Sequence, residues 1–362
     1  MIRLGIINDT NTMKIDRKQQ DILRIFLQYG RLSSSEIHQK LANSELDISL
    51  VTTKRQLTSL VNEQLISAVG SGRSRTYVIS ALGRIFTNID AENYCAVEPD
   101  RRYGLNSFNF ELLPSLPVEI FTREEFSTLE NATENYHLRT TDLPLTIKKK
   151  ELERLIIELS WKSSKIEGNT YTLLDTEKLI LEHKEAPGHD KKEAIMILNH
   201  KDAFTFVHEN AKEFLNLTMA NLEKLHKILV NNLDVGFGLR QKPVGVLGSK
   251  YIPLDNIHQI REAVNELSLA IYKMKTPYGK ALIALLGLSY IQPFEDGNKR
   301  TSRLMANALL LAHNCAPLSY RSVEENEYRS ALLVFYELNS IIPFKKIFID
   351  QYDFATKNYA VK

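Results

Sequence analysis

At 362 residues the chain is long enough for two or three domains with full hydrophobic cores. An apolar share of 43% and a charged share of 25% place it among soluble globular proteins and exclude a disordered or fibrous class. A formal net charge of +2 excludes a global field aimed at nucleic acid or membrane.

Cys95 and Cys315 are the only cysteines. They are far apart, without metal-ligand spacing, which argues against a disulfide scaffold and fits a reducing cytoplasm. No apolar stretch reaches spanning length, so no membrane is expected. Residues 1–12 read as an N-terminal tail lacking the apolar core of a signal peptide, and Met13 is an alternative start. The expected location is cytoplasmic.

Residues 13–86 read as a first domain. Ile22, Ile25, Phe26 and Tyr29 predict a helix over 17–29 with one inward face. Ser33-Ser34-Ser35-Glu36 is a capping box for a second helix with Ile37 and Leu41 inward. A third helix over 49–63 packs Leu57, Leu60 and Val61 and exposes Lys54 and Arg55. A β run at 65–69, a turn over 70–75 and a β run at 76–79 follow. Three helices and a Gly-rich basic hairpin predict a winged helix-turn-helix. The stretch holds eleven Lys and Arg against six Asp and Glu. Lys54, Arg55, Arg73 and Arg75 stand where DNA phosphates would be met. Protein contact or dimerisation is the other use of such a module.

Residues 87–146 show few clear periods and several turn formers (Pro99, Gly104, Pro114, Pro117), which predicts a connector packed on its neighbours. From 147 to 362 the pattern is almost wholly helical, with helices over 148–167, 173–183, 191–209, 218–231, 257–273, 281–290, 304–311 and 324–338. Residues 236–253 are the exception. Four glycines (Gly236, Gly238, Gly245, Gly248) and β-prone runs at 243–247 and 250–252 predict an inserted hairpin, and inserted loops commonly carry function. The expected fold is mainly α: a helical domain with an inserted β-hairpin, plus the winged helix.

The most informative segment is Gln292-Pro293-Phe294-Glu295-Asp296-Gly297-Asn298-Lys299-Arg300, set between two apolar helices. A loop of Asp, Gly, Asn and Arg leading into a helix N-terminus reads as an anion site, because the first N–H groups and the macrodipole attract phosphate. Gly297 lets the backbone approach closely, Asp296 can hold a divalent metal, and Arg300 and Arg303 can grip phosphate oxygens. Phe294, apolar in a polar loop, reads as its buried anchor. Other histidines, such as His200, His208 and His226, lack zinc-ligand spacing and read as packing residues. No Gly-x-x-x-x-Gly-Lys-Ser/Thr loop or nucleophile elbow occurs.

Residues 292–303 resemble the signature of the Fic family, His-Pro-Phe-x-Asp/Glu-Gly-Asn-x-Arg-x-x-Arg, at every defining position except the first. The resemblance extends over about 148–354. It implies an enzyme that transfers AMP from ATP to a Tyr, Thr or Ser hydroxyl of a protein target or of itself. Asp296 would bind Mg²⁺, Gly297 and Asn298 would hold the α-phosphate, Arg300 the β-phosphate and Arg303 the γ-phosphate. Lys299 stands where many relatives have glycine. Residues 236–253 are similar to the family's flap, with Arg240, Val244, Tyr251, Ile252 and Pro253 as target-docking candidates. A homodimer is in keeping with many family members.

Position 292 breaks the pattern. The family's histidine takes the proton of the attacking hydroxyl, whereas a glutamine amide does not titrate and only orients by hydrogen bonding. The chain is a divergent member with altered or no transferase activity, a His→Gln variant, or one in which another group is the base. A second motif, Ser163-Ser164-Lys165-Ile166-Glu167-Gly168-Asn169, resembles the family's inhibitory pattern Ser/Thr-x-x-x-Glu-Gly/Asn. Ser163, Glu167 and Gly168 occupy its defining positions, and the resemblance implies that Glu167 pairs with Arg303 and blocks the γ-phosphate subsite. Two alternatives stay open: a degenerate nucleotide-sensing or DNA-binding regulator, and removal of AMP by way of Glu167.

Overall fold

Asp16 and Gln19 each accept the other's backbone N–H at 2.9 Å, and this reciprocal box opens α1 (Arg17–Tyr29). The computed structural model describes residues 15–43 and 48–360, so the tail at 1–12 and Met13 lie outside the described residues. After α1 come β1 (Leu32–Ser33), α2 (Ser34–Asn43), α3 (Leu50–Asn62), β2 (Ile66–Val69) and β3 (Thr76–Ile79). The strands pair antiparallel in the order β1-β3-β2, with Leu32 opposite Tyr77 and Ile66 opposite Ile79. Ile22, Phe26, Ile37, Leu41, Leu57 and Leu60 fill the core beneath them. Tyr29, expected inward, is 49% exposed. It is the last residue of α1, and the Lys40 ammonium sits 3.3 Å from its ring centroid.

Two short helices, α4 (Ala81–Phe86) and α5 (Ala91–Cys95), lead into the connector. There the structure departs from the expected irregular segment, because α6 (Arg123–Thr140) is a full helix opened by a Thr122/Glu125 capping box. It buries only Leu129, Ala132, Tyr136 and Thr140. So narrow a stripe among Glu, Asn and Thr leaves a faint helical period.

The remaining helices are α7 (Leu145–Ile166), α8 (Leu173–Glu182), α9 (Lys191–Glu209), α10 (Met219–Leu229), α11 (Ile257–Lys273), α12 (Pro277–Ile291), α13 (Asn298–Ala312), α14 (Glu325–Leu338) and α15 (Ile342–Asn358). The protein is mainly α. Helix α12 is apolar all round and buried along nearly its whole length, the pattern of a central helix. Gly287 permits that: a Cβ there would lie 2.4 Å from Leu267 Cδ1 on α11. Helix α13 packs against α12, and α14 contributes Val334 and Leu338 to the core of the N-terminal unit, which joins that unit to the helical body. Among the described residues no helix is long and apolar enough to cross a membrane.

The expected inserted hairpin is absent. Residues 236–253 contain no ladder of their own, and Ile252 forms only an isolated parallel bridge with Ser107. Their backbone is bonded outward instead. Arg240 N–H donates to Pro293 O at 3.0 Å, and Ile252 N–H donates to Asn106 O at 3.0 Å. A β-prone run whose donors are spent on other segments does not fold on itself.

Candidate active site

Helix α12 ends on Gln292 in the left-handed conformation (φ 51°), which turns the chain sharply into the loop. Four fastenings hold the loop. Arg240 is 2% exposed, and its Nε–H donates to Gln292 O at 2.6 Å. The Asn298 amide clasps Phe294, accepting from its N–H and donating to its carbonyl, both at 2.8 Å. The Phe294 ring is fully buried and stacks on His226, 3.7 Å between centroids and 8° between planes. His226 Nε2 then reaches Asp296 O at 3.0 Å, which requires the tautomer protonated at Nε2. Burial pushes the His226 imidazole down to about 4, so the ring stays neutral. Sequence patterning assigned His226 to packing. Its stacking partner lies 68 positions away, beyond any local period.

Gly297 has φ 76°, and a Cβ there would lie 3.3 Å from Val230 Cγ1. Its conformation lets α13 begin with its first N–H groups open to the cleft. Asp296 lies at the rim with its side chain 64% exposed, and Arg300 Nη2 is 3.1 Å from its Oδ2. Arg300 itself is 2% exposed.

Glu167 caps the C-terminal end of α7, where the macrodipole disfavours a negative charge. Two cations offset this. Arg303 Nη1 is 2.9 Å from Glu167 Oε1, and Lys299 Nζ is 3.5 Å from Oε2. Burial alone would raise the Glu167 carboxyl, but Arg303 and Lys299 outweigh it and hold the group below its ordinary value. The other Arg303 nitrogens go to Ser163, Nε to Oγ and Nη2 to O, each at 2.8 Å. Gly168 follows at φ 98°, a conformation glycine adopts freely. Thus Ser163, Glu167 and Arg303 meet at one point, and Lys299 joins them.

A cleft of about 600 Å³ opens beside this cluster. Gln292, Asp296, Gly297, Asn298, Lys299 and Arg300 line it together with Glu167, and residues 244–248 form the opposite wall. Arg303 is 0% exposed and stands behind Glu167. The Gln292 amide lies at the cleft with Nε2 donating to Ser289 O at 2.6 Å. His200, fully buried on α9, has no hydrogen-bond partner at either ring nitrogen among the described residues. Burial, with Arg303 and Arg300 adding to it, lowers its pKa well below the ordinary value.

The docking candidates divide. Val244 lines the cleft and Ile252 is 64% exposed. Arg240, Tyr251 and Pro253 are internal, which corrects the expectation of a docking surface at these three. Arg240 straps the loop, and Tyr251 donates its hydroxyl to Tyr290 O at 2.9 Å while stacking on that ring. Lys54, Arg55 and Arg75 are exposed on α3 and beside the β2–β3 turn, and the Arg73 side chain lies outside the described residues.

Residues 216–310 match the model of the Fic/DOC family. The chain is 24% identical over 184 residues to "Protein adenylyltransferase Fic" of Nematostella vectensis, covering 50% of this chain and 43% of that protein. It is 26% identical over 198 residues to the protein of the same name in Drosophila yakuba, covering 51% and 38%. The matched region therefore spans about two fifths of these relatives' length. In fold the chain resembles Fic-1 of C. elegans, with a TM-score of 0.54 and 19% identity over 66% of this chain and 70% of that one. A Fic family protein from Desulfovibrio desulfuricans G20 gives a TM-score of 0.54 with 20% identity over 67% and 75%. Over residues 216–310 the chain is thus similar to the Fic/DOC family.

Proposed function

We propose that the cleft is an ATP site built for transfer of AMP to a protein hydroxyl, restrained by Glu167 and deprived of its general base at Gln292. The observation that carries this reading is the Glu167 carboxylate set between Arg303 and Lys299, beside the open N-terminus of α13. The triphosphate would lie along Gly297, Asn298, Lys299 and Arg300, where N–H groups and cations converge without rearrangement. A hydroxyl oxygen would attack the α-phosphorus, pyrophosphate would leave, and the hydroxyl proton would pass to solvent water, since the Gln292 amide cannot accept it. Glu167 opposes this by occupying the cations that the outer phosphates need.

Asp296 suits Mg²⁺, which takes one or two carboxylates and completes its shell with water and substrate phosphates. A rim carboxylate that is 64% exposed supplies that much. Bound there, the ion would neutralise phosphate charge. Gln292 would orient the incoming hydroxyl without accepting its proton, and losing a general base costs about 10²–10⁴-fold in rate.

The test is AMP labelling and ATP titration calorimetry on four forms: the parent, Glu167→Gly, Gln292→His and the double variant. Tighter ATP binding in Glu167→Gly, with labelling that emerges in the double variant, is expected. A double variant that labels no protein, itself included, sinks the transferase reading.

The exposed Lys54, Arg55 and Arg75 favour a second reading, in which the N-terminal unit is a winged helix that binds duplex DNA through phosphates. Salt-dependent mobility shifts that survive replacement of all three by alanine would refute it.

A further inference from the structure

Helix α14 borders the cleft with Tyr328, Leu332 and Tyr336, yet the next residue, Glu337, is 0% exposed and outside the cleft lining. Its carboxylate gathers groups from three separate parts of the chain. Tyr94, on α5 and packed in the core of the N-terminal unit, places its hydroxyl 2.8 Å from Oε2 and 2.6 Å from Tyr103 O, two acceptors for its one hydrogen. Arg102 places Nη1 3.2 Å from Oε1. Ser249 donates Oγ–H to Oε1 at 2.7 Å, and the Lys250 N–H approaches the same oxygen at 3.4 Å. Burial and the bond to Glu337 push the Tyr94 phenol far above its ordinary range, so it remains a donor.

The same groups bind one another. Arg102 Nη2 donates to Gly248 O at 2.5 Å, and Lys250 Nζ donates to Arg102 O at 2.6 Å. Gly104 presses against α14 so closely that a Cβ would stand 2.5 Å from Glu337 O, and Leu105 N–H donates to that oxygen at 2.7 Å. The junction is therefore built at contact distance with no room for a side chain.

Residues 244–248, by contrast, are held at few points, Val246 against the main core and Gly248 O by Arg102. Gly245 and Gly248 have open space where a Cβ would be, and Leu247 is 97% exposed. Val246 packs against the main core, and the rest of this wall is fixed by its attachment at each end: Arg240 on one side, and Ser249 with Gly248 on the other. The second attachment is made to a carboxylate that also holds Tyr94 and Arg102.

We propose that Glu337 is a positioning residue of the cleft, through which the N-terminal unit sets the place of the wall 244–248 and with it the cleft's affinity for ligand. A buried carboxylate with one cation and three donors loses strength when any donor is removed, and the remaining partners loosen together. Tyr94, which is nowhere among the cleft residues, should therefore control a segment on the far side of α14. The affinity half of this proposal rests on the ATP reading above; the positional half does not.

The experiment uses the full chain in a Glu167→Gly background with Tyr94→Phe, Ser249→Ala and both together, read by hydrogen exchange and by Mg·ATP calorimetry. Each single variant should speed amide exchange over 245–249 by about tenfold, as loss of a hydrogen bond to a charged acceptor implies. The double variant should fall short of the product of the two, because both act on one carboxylate. ATP affinity should drop about three- to tenfold, with exchange in α12 and α13 unchanged. Unchanged exchange over 245–249 in Tyr94→Phe overturns the coupling. Faster exchange there with unaltered ATP affinity overturns its link to binding. A Glu167→Gly parent that binds no ATP counts against the function proposed above, and the exchange result then decides the coupling alone.

Discussion

Glu167→Gln keeps the shape of the side chain and removes its charge, which isolates what the carboxylate does between Arg303 and Lys299. Arg303 would keep both bonds to Ser163 but lose its counterion at 2.9 Å. Removing one partner of a fully buried pair costs about 3–5 kcal/mol. Here Glu167 is 20% exposed and Arg303 retains Ser163, so about 2 kcal/mol is expected at pH 7. The sign with pH follows from the depressed carboxyl. Its folded value lies below the ordinary 4.5, so the unfolded chain binds the extra proton first. The stabilisation is complete above 4.5 and is lost as pH falls through the folded value. Calorimetric unfolding should therefore separate parent and variant at pH 7 and bring them together on acidification. ATP affinity should move the other way, rising about tenfold or more as Lys299 and Arg303 are released. A residue that merely supports the fold would lower both quantities. A pH-independent stability gap, or affinity that falls with stability, refutes the reasoning.

Burial holds the His226 imidazole at about 4 against an ordinary 6.5, so the folded state binds fewer protons in that window. Stability should be full above 6.5 and decline by up to about 3 kcal/mol toward pH 4. Thermal melts of His226→Phe should show a flatter pH dependence, and an unaltered slope would count against the neutral ring. Gly297→Ala forces a Cβ into φ 76° against Val230, which should cost about 1–2 kcal/mol and weaken ATP binding measured in the Glu167→Gly background. Lys299→Ala in that background should lower ATP affinity by about tenfold with little change in melting, since its ammonium is partly exposed at the cleft. Equal affinity would remove Lys299 from the phosphate site.

The helical body was legible wherever a helix carries a broad apolar face. Helices α7, α9, α10 and α11 fall within a few residues of the expected bounds. Helix α6 was hidden because four inward residues in eighteen leave little period. Helices α12 and α13 run longer than apolarity suggested, and in α13 the reason is that Asn298, Arg300, Thr301, Ser302 and Arg303 are polar residues buried by the site they build. The segment 236–253 misled for another reason. Its β-prone runs are real, but backbone groups of the segment at Arg240, Ile252 and Gly248 serve Pro293, Asn106 and Arg102, and no local sequence rule encodes a partner that distant. The loop residues could be picked out because anion chemistry at a helix start needs particular side chains in order. The supporting roles of His226, Arg240 and Glu337 could not be read, because each acts through tertiary contact.

Those supports also explain how position 292 can change without collapse of the loop. Arg240 holds the backbone carbonyls of Gln292 and Leu254 and accepts no help from the side chain at 292. Asn298 fixes Phe294 through backbone atoms, and His226 fixes it through the ring face. The Gln292 side chain makes one bond, back to Ser289 O in its own helix. Geometry at the start of α13 is thus set by residues whose contacts do not pass through the 292 side chain. An imidazole there would add a proton acceptor and leave the first N–H groups of α13 where they are. Contacts at 292 and at 167 are consequently separable in this loop, which is why Gln292→His is expected to act on rate and a change at 167 on affinity.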